Sequence, residues 1–263
     1  MLTHVCYNRA PVEVRDYLER IHINIKATVD PLCSIETLTY LQEQHLFSVP
    51  FENLDVHRGV AIVLDPPAIL DKIVRRRRGG FCYELNSAFA WLLSELGFDV
   101  TFLSAEVARP GGEFDLPFGH LTLRVDIGGR SWLADVGFGE SFIQPLPLLP
   151  DRPSDEGYRL RLPRHEDVWY LEKDGEAIYR FTLEPCQLAD FEAACHHHQT
   201  SSESPFTQKV VTTRATPNGR VTLTPELCIV RENGKRSETT VNSEAEWRSA
   251  LESHFGIVQE PPS

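Results

Sequence analysis

The sequence has 263 residues, enough for one large domain or two to three small ones, and its 41% hydrophobic content is typical of a globular protein with a real core. A formal net charge of -12 argues against a nucleic-acid or membrane-surface binder. No apolar stretch reaches the ~18 residues of a membrane-spanning helix, and no signal-peptide pattern is visible. The cysteines form no C-x-x-C pair, so we expect free thiols in a reducing cytoplasm.

The first part of the chain, residues 1–97, is predicted to be mainly helical. Ser34 has the character of an N-cap, and Pro66-Pro67 is typical of the first turn of another helix. Apolar residues at helical spacing predict a helix over 82–96, and Gly97 stands where a C-terminal glycine cap is expected.

The hydrophobic period changes after this helix. Residues 120–127 alternate between apolar and polar side chains, and Gly128-Gly129 predicts a two-residue hairpin turn into a partner strand over 130–136. A closing helix is predicted from Ser243 to about Phe255. Further strands are expected at 100–107, 158–162, 167–172, 177–183, 210–213, 219–224 and 227–231. Helices followed by antiparallel strands and a small mixed module indicate an α+β protein.

Two charged or ligand-like runs have competing interpretations. The basic run Arg75-Arg76-Arg77-Arg78 could bind phosphate or nucleic acid, but the pattern favours a solvated helix end. His196-His197-His198 beside Cys195 suggests a metal site. Consecutive side chains point in different directions and rarely hold one ion, so we predict no metal.

Cys82 is the candidate nucleophile. Gly79-Gly80 allows a tight turn before the predicted helix, which puts the thiol in the first helical turn. Free N–H groups and the helix dipole favour a thiolate there, and Arg78 could add positive charge. The alternative is a small buried core cysteine.

The predicted hairpin supplies a base and a group to orient it. If Gly128-Gly129 forms the loop, Ile127 pairs with Arg130, and counting back along the ladder puts His120 and Asp135 on one face. Such diagonal neighbours lie roughly 7–8 Å apart, within reach of an imidazole–carboxylate hydrogen bond. The alternative is a polar surface pair. With a cysteine available upstream, the pattern favours a Cys-His-Asp triad.

At these motifs the sequence resembles the arylamine N-acetyltransferase family. The similarity covers most of the chain and is most specific in its first half. The motifs that carry it stand in the family's order: Val49-Pro50-Phe51-Glu52-Asn53-Leu54, Arg77-Arg78-Gly79-Gly80-Phe81-Cys82-Tyr83-Glu84-Leu85-Asn86, His120-Leu121-Thr122-Leu123 and Asp135-Val136-Gly137-Phe138-Gly139.

The resemblance implies a fold and a reaction. The fold would have a helical bundle over 1–97 carrying the cysteine, a central antiparallel β-barrel over 98–190 carrying His and Asp, and an α/β lid over 191–263, with a cysteine-protease-like Cys-His-Asp core. The reaction would be ping-pong: acetyl-CoA, the acyl-donor co-substrate, acetylates the cysteine, and an arylamine or arylhydrazine then takes the acetyl group. His120 would deprotonate the thiol, and Asp135 would orient His120.

The resemblance also implies binding residues and a setting. Aromatic side chains of the acceptor pocket would be Phe51 and Phe138; CoA contacts would be Ser202, Ser204, Phe206 and Gly119. Leu116-Pro117-Phe118 departs from the commoner family patterns just before Gly119, which bears on those contacts. We expect a role in xenobiotic metabolism, a monomer or weak homo-oligomer, and neither a nucleic-acid nor a membrane partner.

Three other functions stay open from the residues. A thiol hydrolase or transglutaminase-like enzyme would use the same order of Cys, His and Asp. An amide synthase that closes a macrolactam shares the family's scaffold and triad. A binding module with a vestigial triad is the third alternative.

Overall fold

The computed structural model describes residues 11–23 and 33–258. Within these residues no helix is both long enough and apolar enough to cross a membrane. The order is helices, then an antiparallel sheet, then a second sheet with a closing helix, which confirms the α+β fold predicted from the sequence.

Helices dominate the first third of the described chain. They are α1 (Val14–Arg20), α2 (Ile35–Ser48), the short α3 (Leu54–His57), α4 (Pro66–Leu70) with a π-helical turn (Asp71–Arg75) continuing it, and α5 (Cys82–Glu95). Ser34 caps α2 as predicted, because its hydroxyl accepts a hydrogen bond of 3.2 Å from the Thr37 N–H. The π-helical turn precedes the Gly79-Gly80 bend, and π-helical turns are often found at functional sites.

A seven-stranded antiparallel sheet follows and curls into a nearly closed barrel. The strands are β2 (Asp99–Val107), β3 (His120–Ile127), β4 (Arg130–Ala134), β5 (Leu146–Pro147), β6 (Tyr158–Arg161), β7 (Trp169–Lys173) and β8 (Glu176–Phe181). Their spatial order is β5-β4-β3-β2-β8-β7-β6. The predicted hairpin is confirmed: Ile127 pairs with Arg130, and Gly128 and Gly129 have φ of 57° and 78°, which a two-residue turn of this hand requires.

The last segment contains a 3₁₀ turn (Leu188–Phe191), two helices, a five-stranded sheet and the closing helix. The helices are α6 (Glu192–Thr200), α7 (Pro205–Gln208) and α8 (Glu244–Phe255); the strands of the segment are β9 (Thr212–Thr216), β10 (Gly219–Leu223), β11 (Leu227–Glu232) and β12 (Lys235–Thr240). The fifth strand of this sheet comes from the first third of the chain: β1 (Phe51–Glu52) pairs with β9.

The hydrophobic core around α5 crosses the predicted segment boundaries. It joins apolar residues of the helices to Leu121, Leu123 and Val125 of β3 and to Phe191 and Cys195 of the last segment. A second cluster fills the barrel, and a third packs α8 on the five-stranded sheet. The division at residues 97 and 190 therefore stays a prediction, since side chains from all three segments share one core.

Several elements differ from the sequence-based expectation. The sequence did not predict α6 or β12: the polar run of α6 has no clear apolar period, and every residue of β12 is exposed, so no alternation marks it. The solvated-end interpretation of the arginine run is wrong for Arg78, which is buried and paired with Glu52 and Asp55.

Candidate active site

Cys82 is the first residue of α5, and its side chain is 3% exposed. The bend before it depends on glycine, because a Cβ at Gly79 would collide with the carbonyl of Pro50. Opposite the thiol, a Cβ at Gly137 would lie 2.7 Å from the Cα of Cys82. The loop that follows β4 therefore touches the first turn of α5, where the unpaired N–H groups of a helix lie.

His120 and Asp135 lie beside this helix start, as the hairpin count predicted. The Nε2 atom of His120 is 2.7 Å from Oδ2 of Asp135, and both side chains are buried. Cys82 is near enough to the imidazole to contribute to the raised pKa of His120. His120 begins β3, and Asp135 follows directly after β4. The three side chains are thus buried together, and His120 and Asp135 are hydrogen-bonded.

Both oxygens of Asp135 have further partners. Oδ1 accepts hydrogen bonds of 2.9 Å from the side-chain amide of Asn86 and from the N–H of Gly137. Oδ2 accepts a bond of 3.1 Å from the Tyr179 hydroxyl. A buried carboxylate with this many donors is favoured in its charged form.

The charges of the pair reinforce each other. Burial alone would lower the pKa of His120, but the Asp135 charge and the hydrogen bonds with Asp135 and Cys82 outweigh it and raise that pKa to about 10. Burial acts in the opposite direction on Asp135, yet the His120 charge and the hydrogen bonds hold its pKa below the usual value. The site therefore favours a protonated imidazole between a carboxylate and a sulfur atom.

A buried ion network holds the start of α5 from behind. Lys72 Nζ lies 2.8 Å from Asp55 and 2.7 Å from Glu84, and the other oxygen of Glu84 accepts the Phe81 N–H. Arg78 joins the network through Glu52 and Asp55. The Arg78 guanidinium therefore pairs with these two carboxylates. The sequence had suggested that it adds positive charge beside Cys82.

Aromatic rings surround the triad on two sides. The ring of Phe138 is 5.2 Å from the His120 ring and perpendicular to it. The rings of Phe51 and Phe81 lie 6.0 and 5.8 Å from that of Phe206. The predicted acceptor residues Phe51 and Phe138 are thus connected through Gly139, where a Cβ would touch the Phe51 ring at 3.4 Å.

The turn before His120 is held by the side chains of Tyr83 and His198. Phe118 has a positive φ of 62°, which is unusual for a bulky residue. Tyr83, next to Cys82, donates from its hydroxyl to the carbonyls of Phe118 and Gly119 at 2.9 and 3.2 Å. His198 of α6 places Nε2 3.2 Å from the same Gly119 carbonyl. The predicted CoA contact Gly119 is therefore a junction between α5, the barrel and α6.

Two serines named as CoA contacts differ in their surroundings. Ser202 is exposed, and its carbonyl accepts a bond of 2.7 Å from Gln208. Ser204 is buried: its hydroxyl caps α7 through the Phe206 N–H and donates to the His198 carbonyl at 3.1 Å. Contact of either residue with CoA stays a prediction.

The three consecutive histidines lie on α6. Only His198 among them is buried, and burial lowers its pKa. The described residues contain no group of three or more His, Cys, Asp or Glu side chains arranged to hold a metal ion.

Sequence reasoning missed two polar residues of the site. Asn86 stands four residues after Cys82, so it shares the same face of α5, and this spacing could have identified it. Tyr179 lies on β8, 44 residues from Asp135, and no local pattern points to it. Only the packing of β8 beside β2 brings its hydroxyl to the carboxylate.

Comparisons with known proteins agree with this architecture. A family model described as N-acetyltransferase matches residues 34–261. Arylamine N-acetyltransferase 1 of Homo sapiens is 33% identical over 94% of each chain. The Mycobacterium smegmatis arylamine N-acetyltransferase structure superposes with a TM-score of 0.84 at 31% identity, covering 94% of this chain and 92% of that one.

A Bacillus cereus arylamine N-acetyltransferase, reported with a Cys-His-Glu catalytic triad, superposes equally well. Its TM-score is 0.84 at 28% identity, and the match covers 94% of this chain and all of that one. This chain has an aspartate, Asp135, hydrogen-bonded to His120. The extent and identity of these matches show that the chain is an acyltransferase of the arylamine N-acetyltransferase family.

Proposed function

We propose that this protein transfers an acetyl group from acetyl-CoA to the nitrogen of an arylamine or arylhydrazine through a thioester on Cys82. The observation that carries the proposal is the buried, hydrogen-bonded pair of His120 and Asp135 beside Cys82, which begins a helix. Membership of the family supports acetyl transfer to arylamines; the donor, the ping-pong order and the residue roles are our proposal.

In the first half-reaction the Cys82 sulfur attacks the thioester carbonyl of acetyl-CoA. The developing oxyanion is stabilised by N–H groups in the first turn of α5, which have no partner within the helix. Collapse of the intermediate breaks the bond between carbonyl carbon and CoA sulfur. The protonated His120 gives its proton to the departing CoA thiolate, which leaves acetyl-Cys82 and a neutral imidazole.

In the second half-reaction the amine nitrogen attacks acetyl-Cys82. Neutral His120 accepts the proton that the nitrogen loses, and the Cys82 thiolate leaves. The starting thiolate–imidazolium pair is restored, and Asp135 stabilises the imidazolium through its hydrogen bond to Nε2. The raised pKa of His120 is consistent with an imidazole that ends each cycle protonated.

The acceptor would lie among flat rings close to the thioester. Phe138 is packed edge-on against His120, and the ring of Phe51 lies against Gly139, the residue after Phe138. Aromatic pairs of this geometry favour a planar aryl ligand. CoA would approach past Gly119, Ser202, Ser204 and Phe206.

Intact-protein mass spectrometry after incubation with acetyl-CoA alone tests the thioester. We expect one added acetyl group on Cys82 in the wild type and none in Cys82→Ala. Cys195→Ala is the matched control, because Cys195 is another buried thiol on a neighbouring helix and should leave the modification in place. Acetylation of another residue, or full turnover in Cys82→Ala, would overturn the mechanism.

Acetylation by acetyl-CoA, together with alkylation of Cys82, separates the other functions that fit the residues. A thiol hydrolase would lose the acetyl group rapidly without any arylamine. An amide synthase would not accept acetyl-CoA. A binding module would resist alkylation of Cys82 by iodoacetamide at neutral pH.

A further inference from the structure

A cleft of about 220 Å³ lies where the ends of α2 and α8 meet the segment that leads to Gly79. Three arginines line it, Arg20 from α1, Arg77 from the arginine run and Arg214 from β9. None of the triad residues borders the cleft, so it is a separate feature of the molecule.

Two of the three arginines, Arg20 and Arg214, donate hydrogen bonds to backbone carbonyls. Arg20, 3% exposed, donates to the carbonyls of Ser48 at 2.8 Å and Ile73 at 3.0 Å. Arg214 donates to the carbonyls of Phe47 and His254. Across residues 11–23 and 33–258, neither guanidinium is in an ion pair with an acidic side chain. Helix C-termini offset only part of this charge, roughly half a unit each.

Arg77 has the most freedom of the three. It is exposed, and within the described part of the chain its guanidinium has no hydrogen bond or ion pair. Its backbone φ is 50°, in the left-handed region that disfavours a side chain, and His22, which also lines the cleft, has φ of 60°. Two strained residues therefore border one small cleft.

The positive charges of the three arginines in the cleft repel one another. Burial and the nearby charges of Arg77 and Arg214 lower the pKa of Arg20 to about 10. Among the described residues that line the cleft, Glu252 is the single acidic one, and it is exposed. An anion between the guanidiniums would relieve their mutual repulsion.

We propose that this cleft binds a phosphate group, held between the guanidiniums of Arg20, Arg77 and Arg214. Guanidinium groups bind phosphate oxygens through paired N–H donors, and three of them suit a group with more than one negative charge. A cleft of about 220 Å³ accepts inorganic phosphate or the phosphoryl end of a phosphate monoester. The bound group would hold Arg77 against Arg20, and Arg20 also reaches the carbonyls of Arg77 and Arg78.

Isothermal titration calorimetry of the full-length protein with inorganic phosphate, at constant ionic strength in sodium chloride, tests the site. We expect saturable binding of one phosphate in the wild type and about tenfold weaker binding in Arg77→Gln, because one charge-assisted contact is lost. Arg77 has no folded-state partner to lose, so this variant should fold normally. A parallel titration with glycerol phosphate identifies the source: equal or tighter binding assigns the site to a phosphate ester, and weaker binding assigns it to the free ion.

Arg76→Gln is the matched control. It removes the same charge from the adjacent residue, which pairs with Asp71 and does not line the cleft. We expect its phosphate affinity to stay within twofold of the wild type. Absence of saturable binding to the wild type at 10 mM phosphate (roughly the weak limit of specific sites), or equal weakening in both variants, would overturn the proposal.

Discussion

The Asp135 carboxylate has several hydrogen-bond partners that no sequence motif predicts. Asn86 donates to Oδ1 of Asp135 and to the Leu121 carbonyl, and its own side-chain oxygen accepts the Val136 N–H at 2.9 Å. Tyr179 donates to Oδ2, and burial together with the Asp135 charge raises the tyrosine pKa well above its usual value. The hydroxyl therefore stays protonated, and the carboxylate keeps one orientation toward His120.

Asp135→Asn tests the charge of this pair. Without the carboxylate, burial becomes the dominant influence on His120, and its pKa should fall from about 10 to below the usual ~6.5. We expect acetylation of Cys82 to slow by about 10²–10⁴-fold, as for loss of an acid–base group. Nuclear magnetic resonance of ¹⁵N-labelled histidines across pH 5 to 10 (roughly the range set by these pKa values) measures the titration directly.

Asp126→Asn is the control for this variant, because Asp126 lies on the same hairpin and pairs with Arg124 away from His120. It should leave the His120 titration unchanged. The raised folded-state pKa also sets the sign of the stability effect. The pair contributes fully below about pH 6.5, the unfolded value, and the contribution is lost as pH rises toward about 10. A His120 pKa that stays high in Asp135→Asn would contradict this account.

At the scale of elements, the start of α5 depends on buried charges behind it. The chain enters the helix from the π-helical turn through Gly79 and Gly80, and Glu84 of the first helical turn reaches back to the Phe81 N–H. Lys72 pairs with Glu84 and Asp55, all three nearly excluded from solvent. Burial lowers the pKa of Lys72, but the charges of these carboxylates outweigh it and raise that pKa. The Lys72 ammonium therefore stays charged, and its ion pairs hold the segment that positions Cys82.

Lys72→Met tests the network. Removing the ammonium leaves Asp55 and Glu84 without a partner that they now share, and we expect the free energy of unfolding to fall by about 3–5 kcal/mol. Urea unfolding at pH 7 measures the change. The double variant Lys72→Met, Glu84→Gln should recover part of the loss, because it removes one of the unpaired buried charges.

Arg76→Gln supplies the comparison from the same stretch of chain. Its guanidinium pairs with Asp71 but is 53% exposed, so the loss should stay below about 1 kcal/mol. Equal losses in the two single variants would mean that burial of the Lys72 network has no special weight.

At the scale of the whole molecule, the site lies where three parts of the chain meet. Cys82 comes from the helical part, and His120 and Asp135 come from the barrel hairpin. His198 of α6 reaches the carbonyl next to His120, and Asn53 donates to the carbonyls of Phe206 and Lys209 at 2.9 and 2.7 Å. The common core around α5 makes these contacts interdependent.

We therefore expect one cooperative unfolding transition. Trp91 reports on α5, Trp169 on the barrel and Trp247 on the closing helix. In variants where one of these is the single tryptophan of the chain, the fluorescence follows the unfolding of that part alone. Urea titrations by fluorescence should give coincident midpoints, and far-ultraviolet circular dichroism should match them. A distinct midpoint for Trp247 would show that the last segment unfolds by itself.

The features that could be predicted from the sequence are those that depend on residues close together in the chain. The Ser34 cap, the helix from Cys82 and the hairpin register depend on residues close in sequence, and the structure confirms each of them. The solvated interpretation is wrong for Arg78 because its partners Glu52 and Asp55 lie more than 20 residues earlier in the sequence. A run of arginines has the same sequence pattern whether its side chains are solvated or paired. The exposed edge strand β12 carries no alternation, because neither of its faces is buried.

By itself, the sequence determined the α+β class, the helix that begins at Cys82 and the shared face of His120 and Asp135. Backbone sterics and side-chain period act over a few residues and can be read locally. Only the tertiary structure decided that the Tyr179 hydroxyl and the ion pairs of Lys72 complete the site, and that three arginines meet in a separate cleft. Their contacts join elements far apart in sequence, and burial, which sets the strength of a charge or hydrogen bond, exists only once those elements have packed.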